Sequence, residues 1–340
     1  MKGILKVLRR FVLVTMVPLV LLGLVGYPAW AQDHTGVGTS PPPLTTTVIP
    51  PNNPLQVAIL RWYGANLTTQ LPVGTTPWGV AFDGANVWVV NNGSNTVSEL
   101  RASDGSTLGT FPVGTSPEGM AFDGANIWVA NFHSNNVTKL RASDGSSLGT
   151  FAVGTGPDAM AFDGANIWVT NFTSNNVTKL RASDGSPLGT FPVGTGPEGV
   201  AFDGANIWVT DFIGNTVTKL NAANGSILGT FAESGGPFAV AFDGANIWVT
   251  NFNSNTVTKL KASNGLNLGT FAVGTTPNGV AFDGANIWVA NFTSNNVTKL
   301  KASNGSNLGT FVVGGSPVGV AFDGANIWVA NYGNNTVSKL

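Results

Sequence analysis

The chain has no cysteine, only two histidines in 340 residues, and charged side chains at just 10% of its positions. Without cysteine there is no disulfide framework, no thiolate nucleophile and no thiolate metal site. Two histidines leave little for general acid–base work at neutral pH, which usually recruits imidazole. A Ser-His-Asp triad has no support either, since no serine stands in a suggestive context. Charge falls well below the roughly one quarter usual in globular domains. Glycine, asparagine, threonine and serine supply the polar content instead, and they favour turns and strands over helix interiors. Four of the cations (Lys2, Lys6, Arg9, Arg10) sit in a segment expected to be removed. Twelve cations then face seventeen anions, a net charge of about −5. A nucleic-acid surface needs clustered cations, so no nucleic-acid partner is expected.

Those four N-terminal cations precede an apolar run, Phe11 to Val25, and the small-x-small stretch Ala29-Trp30-Ala31. Residues 1–31 are read as a signal peptide cleaved after Ala31. The apolar run is short for a spanning helix, so no stable membrane span is expected after cleavage. The protein is then exported: periplasmic, cell-surface or secreted. Residues 32–54 carry Pro41-Pro42-Pro43, Pro50-Pro51 and Pro54 and read as an extended linker. That linker holds His34, to which no role is assigned. Ser338-Lys339-Leu340 matches a peroxisomal address but is repeat sequence.

Residues 55–340 are dominated by one phrase, Ala-Phe-Asp-Gly-Ala-Asn. It starts at Ala81, Ala121, Ala161, Ala201, Ala241, Ala281 and Ala321, always 40 residues apart. Within one unit, four short apolar runs alternate with turn dipeptides. Glu118–Phe122 is strand A, Asn126–Phe132 strand B, Val137–Leu140 strand C and Leu148–Val153 strand D. A unit this small cannot bury both faces of its sheet alone and must stack on neighbours. Seven such units predict an all-β, seven-bladed β-propeller of four-stranded antiparallel blades. An open solenoid would need polar caps, which the terminal units lack. The last unit stops after strand C, and a lone strand D (Leu67–Val73) precedes the first. Pairing the two closes the ring as a 3+1 blade. Gln56–Leu60 resembles a surplus strand C and is expected to lead in along the outer edge.

Trp168-Val169-Thr170-Asn171, Ser174-Asn175-Asn176-Val177 and Pro192-Val193-Gly194-Thr195-Gly196-Pro197-Glu198-Gly199-Val200 together resemble the YVTN (YncE-like) β-propeller repeat. Tryptophan stands where that family usually has tyrosine. NHL-repeat and streptogramin-lyase (virginiamycin B lyase) propellers are more distant relatives. The resemblance implies the fold. It does not settle an activity, because propellers host many.

Comparing the units with one another separates frame from function. The tryptophans and the Asp-Gly turns repeat in all seven and read as structural. Variation gathers in two places. One is the residue after the D–A proline: Trp78, Glu118, Asp158, Glu198, Phe238, Asn278 and Val318. The other is the B–C turn, which holds His133. Asp211 also replaces an otherwise constant asparagine. In a propeller these loops share one face, around the mouth of the central channel. Trp78, Glu118, His133, Asp158, Glu198, Asp211, Phe238 and Asn278 are therefore the expected ligand-binding residues. Glu118, Asp158 and Glu198, from consecutive blades, are expected to converge. Clustered carboxylates either raise one another's pKa or hold a divalent cation such as Ca²⁺ or Mg²⁺. The expected function is non-enzymatic recognition or scaffolding by a monomer, with a protein, glycan or small molecule as partner. The alternative is a metal-dependent enzyme of streptogramin-lyase or lactonase type. Such lyases set histidines and a carboxylate around a metal, whereas His133 is the one histidine of the repeat region.

Overall fold

The computed structural model describes residues 69–340, and every regular element in them is a β-strand. The expectations for residues 1–54, for His34 and for Gln56–Leu60 lie outside the described residues. Blade 2 is typical. Its strands A to D are Pro117–Phe122, Asn126–Asn131, Asn136–Arg141 and Ser147–Ala152, joined in order as antiparallel neighbours. Blades 1 to 6 repeat this plan. The seventh sheet combines Pro317–Phe322, Ile327–Asn331 and Thr336–Lys339 with the N-terminal strand Thr69–Pro72. Thr69 pairs with Lys339 and Pro72 with Thr336, so the expected 3+1 closure is present. Each A strand packs against the A strands of both neighbouring blades, and the seventh meets the first. The ring is closed, and its inner wall is made of A strands.

Local chemistry explains why each unit folds this way. In the A–B turn of blade 2, Gly124 adopts φ 96°, a conformation open to glycine. Asp123 Oδ1 accepts the N–H groups of Ala125 and Asn126, and Oδ2 accepts Trp128 Nε1–H at 2.7 Å. The repeated aspartate is thus a turn former and an anchor for the indole. In the B–C turn, Asn135 takes a left-handed φ of 54°, which asparagine tolerates better than most side chains. Its Oδ1 then accepts Gly156 N–H at 2.9 Å from the following D–A loop. The same bond crosses the closure, from Thr76 N–H to Asn335 Oδ1 at 2.8 Å.

The hydrophobic core lies between blades. Trp128, Ala130 and Val137 of blade 2 pack on Met160, Ile167, Val169 and Leu180 of blade 3. Trp328 and Val337 meet Val87, Val89 and Leu100 in the same way at the closure, with Leu71 alongside. Strand B is buried beyond its first residue because it faces an apolar neighbour on each side. A lysine on strand C reinforces most seams. Lys259 Nζ lies 5.1 Å from the centre of the Trp248 ring and donates to Ala302 C=O of the next blade at 2.6 Å. One seam departs from the plan: Glu233 stands at the position of Val113, Val153, Val193 and Val273, and it is 9% exposed.

Candidate functional site

The seven variable residues after the D–A proline sit one position further in than the sequence suggested. Each is the second residue of an A strand, where the sequence reading put it first, at the junction with the D–A loop. In every blade the A–B register shifts at this point, between Pro117 and Met120 in blade 2. Proline contributes no donor to the ladder, and a bulge re-aims the side chain beside it. In five blades the next residue is glycine, and there the neighbouring blade comes very close. A Cβ on Gly119 would lie 2.2 Å from Asp158 C=O. The ring of variable residues is therefore tight, and its members stand next to one another in blade order. Three threonines fix part of it. Thr170, Thr210 and Thr250 donate to the backbone C=O of Glu198, Phe238 and Asn278 at 2.7, 2.5 and 2.8 Å. The corresponding residues of the other blades are Val90, Ala130, Ala290 and Ala330, which carry no hydroxyl.

Glu118, Asp158 and Glu198 do converge. Asp158 hydrogen-bonds with both glutamates through side chains. Asp158 is 9% exposed, and the glutamates are half-buried at the channel wall. Burial pushes the Glu118 carboxyl up to about 10, with the Asp158 charge and hydrogen bond adding to the rise. Burial raises Asp158 to about 6, opposed by hydrogen bonds from Glu198 and Glu118. Burial also lifts Glu198 far above the usual range, helped by Asp158 and Glu118. The consistent proton arrangement has both glutamates protonated and donating to the Asp158 carboxylate. Contact between the three carboxyls makes their titrations interdependent.

The remaining ring members divide the mouth. Trp78, beside Glu118, meets Tyr332 edge-on with centroids 5.7 Å apart. Phe238, beside Glu198, stacks on Phe252 at 5.5 Å and meets Phe212 edge-on at 5.9 Å. Asn278 and Val318 complete the circle opposite Asp158, 4% and 1% exposed. Asn278 occupies the ladder position whose side chains meet in the trio.

His133 and Asp211 stand apart from this ring. His133 is exposed in its turn, with Nδ1 2.5 Å from Ser116 Oγ, and it meets Phe132 edge-on. Asp211 is fully buried inside blade 4 rather than at the mouth. Its Oδ2 accepts the hydroxyls of Thr216 at 2.9 Å and Thr218 at 2.7 Å. In blade 5, Asn251 Nδ2 occupies the matching place and donates to Thr256 Oγ1 and Thr258 Oγ1. Asp211 is thus an isosteric replacement that reverses two hydroxyl rotors.

The sequence comparison also missed a feature. Phe132, Phe172, Phe212, Phe252, Phe292 and Tyr332 follow strand B and form an aromatic collar on the same face. Their near-constancy made them look like frame. The signal was the one exception, Asn92, whose Nδ2 donates to Pro117 C=O at 3.1 Å. For a divalent cation the fit is poor. Hard cations take six or more oxygens. Among the described residues no group of three acidic or imidazole side chains is disposed to hold one.

No family model and no curated protein matches the chain, so the likeness to the YVTN repeat rests on its motifs alone. Solved structures do match. Hydrazine synthase of Kuenenia stuttgartiensis is 19% identical with a TM-score of 0.70, covering 82% of this chain and 97% of that one. A streptogramin B lyase is 18% identical with a TM-score of 0.69, covering 80% and 96%. Virginiamycin B lyase from Staphylococcus aureus is 19% identical with a TM-score of 0.69, covering 80% and 98%. At these identities the likeness is one of fold: the chain is a seven-bladed β-propeller, as its own blade order shows.

Proposed function

We propose that the protein is an exported recognition module that binds its ligand at the channel mouth, on the face carrying the D–A and B–C turns. One observation carries this reading. Seven otherwise equivalent positions differ in chemistry, and three of them bring carboxyl groups from consecutive blades into contact. A frame that needed only stability would keep that ring apolar, because a buried carboxyl cluster is costly. The aromatic collar adds the apolar lining that ligand sites generally have. A glycan and small-molecule array probed with the full chain tests the reading. The expected ligand loses about tenfold in signal when Glu118→Gln and Glu198→Gln are combined. A ligand that binds this variant equally well would move recognition to another surface.

Fold likeness to streptogramin lyases motivates an enzymatic reading. Against it, the one described histidine is engaged by Ser116 and separate from the trio. Incubation with a streptogramin B lactone should give no linear product. Turnover lost in His133→Ala would replace the binding proposal with a lyase.

A further inference from the structure

We infer that residues 61–68 dock over the seam between blades 6 and 7, with Trp62 and Tyr63 against Phe311. This seam is built differently from the other six. In those, the phenylalanine or leucine of one strand D lies against the C–D turn of the following blade. The fit leaves no room for a side chain on the turn glycine. A Cβ on Gly145 would run into the Phe111 ring, one on Gly305 into the Phe271 ring, and one on Gly105 into Leu71. Phe111, Phe151, Phe191, Phe231 and Phe271 accordingly pack against the core cluster of their seam. Phe311 does not join the cluster formed by Trp288, Val297 and Ile327. It is 37% exposed, and Trp288 beside it, with ring centres 5.3 Å apart, is less buried than its six counterparts.

The described residues give blade 7 no C–D turn to lay on Phe311. Its strand C continues to Leu340, which exchanges backbone hydrogen bonds with Ile327 at 2.9 and 3.0 Å, as Leu140 pairs with Ile127 in blade 2. Its strand D is Thr69–Pro72. The phase of the repeat names the occupant of the space between them. One repeat before Arg101 is Arg61, so residues 61–68 hold the places of residues 101–108, the stretch that follows Leu100. They lead directly into Thr69, at the end of strand D where the other blades have this turn. That tether holds them beside Phe311 at high effective concentration. The segment does not copy the turn, however. Trp62 and Tyr63 stand where the six turns have alanine followed by serine or alanine. Ala65 stands where they have glycine at φ 68–75°. Alanine resists that conformation. The close approach of a glycine backbone is therefore replaced by side chains, and two aromatic rings supply the cover that a bare turn supplies elsewhere.

Hydroxyl-radical footprinting with mass spectrometry on the full chain reads both sides of the contact. Trp62 should be modified about fivefold more slowly than in a synthetic peptide of residues 56–68, the protection expected of one aromatic contact that opens locally. Phe311→Asp should remove that protection. Trp62→Ala should in turn speed modification of Phe311 by about twofold or more. Trp128, in blade 2, reports whether the fold is intact. If Phe311→Asp exposes Trp128 as well, the Trp62→Ala variant decides, because it leaves every described residue unchanged. Modification of Trp62 as fast as in the peptide overturns the proposal, and so does a Phe311 rate that Trp62→Ala does not change. A dimer seen by light scattering that Phe311→Asp dissociates, with Trp62 unprotected throughout, also overturns it and puts a second copy of the chain on this seam.

Discussion

Glu233 shows what one exchanged side chain does to a repeated seam. Its counterparts are valines packed between blades, whereas its Oε1 has no partner and Thr258 contacts the carboxyl. Burial raises its pKa above the ordinary carboxylate value, and the Thr258 bond only partly offsets this. A raised pKa in the folded state means the protonated form is favoured there. The associated stability is full below the unfolded-state value of about 4.5 and declines as pH climbs through the folded-state value. Glu233→Val should stabilise the protein by about 1–3 kcal/mol at pH 8 and by less at pH 4. Denaturant unfolding at the two pH values measures this; an equal effect at both would exclude titration of Glu233 as the cause. Asp211 is also raised by burial and its Oδ1 also lacks a partner, but its Oδ2 accepts two hydroxyls, which can donate as readily as accept. Sequence alone marked Asp211 as an oddity and passed over Glu233. The difference lies in what each side chain faces, which a repeat alignment does not contain.

At the level of strands and turns, the lysine of strand C covers the tryptophan of its own blade and reaches across to the next. Lys259 lies over the Trp248 ring beside it in the sheet and donates to the Ala302 carbonyl, with a longer bond to Ser303 C=O, in the following blade. Lys299 lies 4.6 Å from the centre of the Trp288 ring, and the described residues of blade 7 include no C–D turn to offer a carbonyl. Trp288 is correspondingly 7% exposed, where the other six strand-B tryptophans are fully buried. Lys259→Met should therefore cost about 1 kcal/mol more than Lys299→Met, the usual worth of one hydrogen bond. Thermal unfolding of both variants gives the comparison, and equal losses would mean that the ring contact alone matters. Elements were highly legible in the sequence: turn dipeptides and alternating apolar runs located all four strands of the repeat to within two residues. The bulge beside each D–A proline was not legible. It depends on how closely neighbouring blades approach, as at Gly119 and Asp158, and the variable residue was consequently read as lying where the D–A loop meets strand A.

For the molecule as a whole, closure depends on four residues at one end of the described chain. Thr69–Pro72 pairs with Thr336–Lys339, and Leu71 fits against the C–D turn of blade 1 at Gly105. Leu71→Asp should lower the unfolding temperature and let the amides of residues 336–339 exchange with solvent before those of any other strand C. Uniform exchange among the seven C strands would mean that the ring stays shut without this side chain. The closure was readable in advance because the 40-residue phase leaves strand D unmatched at one end and strands A to C at the other. The carboxyl trio was readable for the same reason, as consecutive departures from a repeat. Its proton sharing was not, since that follows from burial and contact.

The three threonine bonds give the mouth a mechanical asymmetry. Glu198, Phe238 and Asn278 are pinned through their backbones to the preceding blade, while Trp78, Glu118, Asp158 and Val318 are not. The carboxyl trio straddles the boundary between the pinned and the unpinned side. A ligand held at the mouth as proposed would take its reference surface from the pinned side, and any adjustment to its girth would fall to the Trp78–Asp158 side.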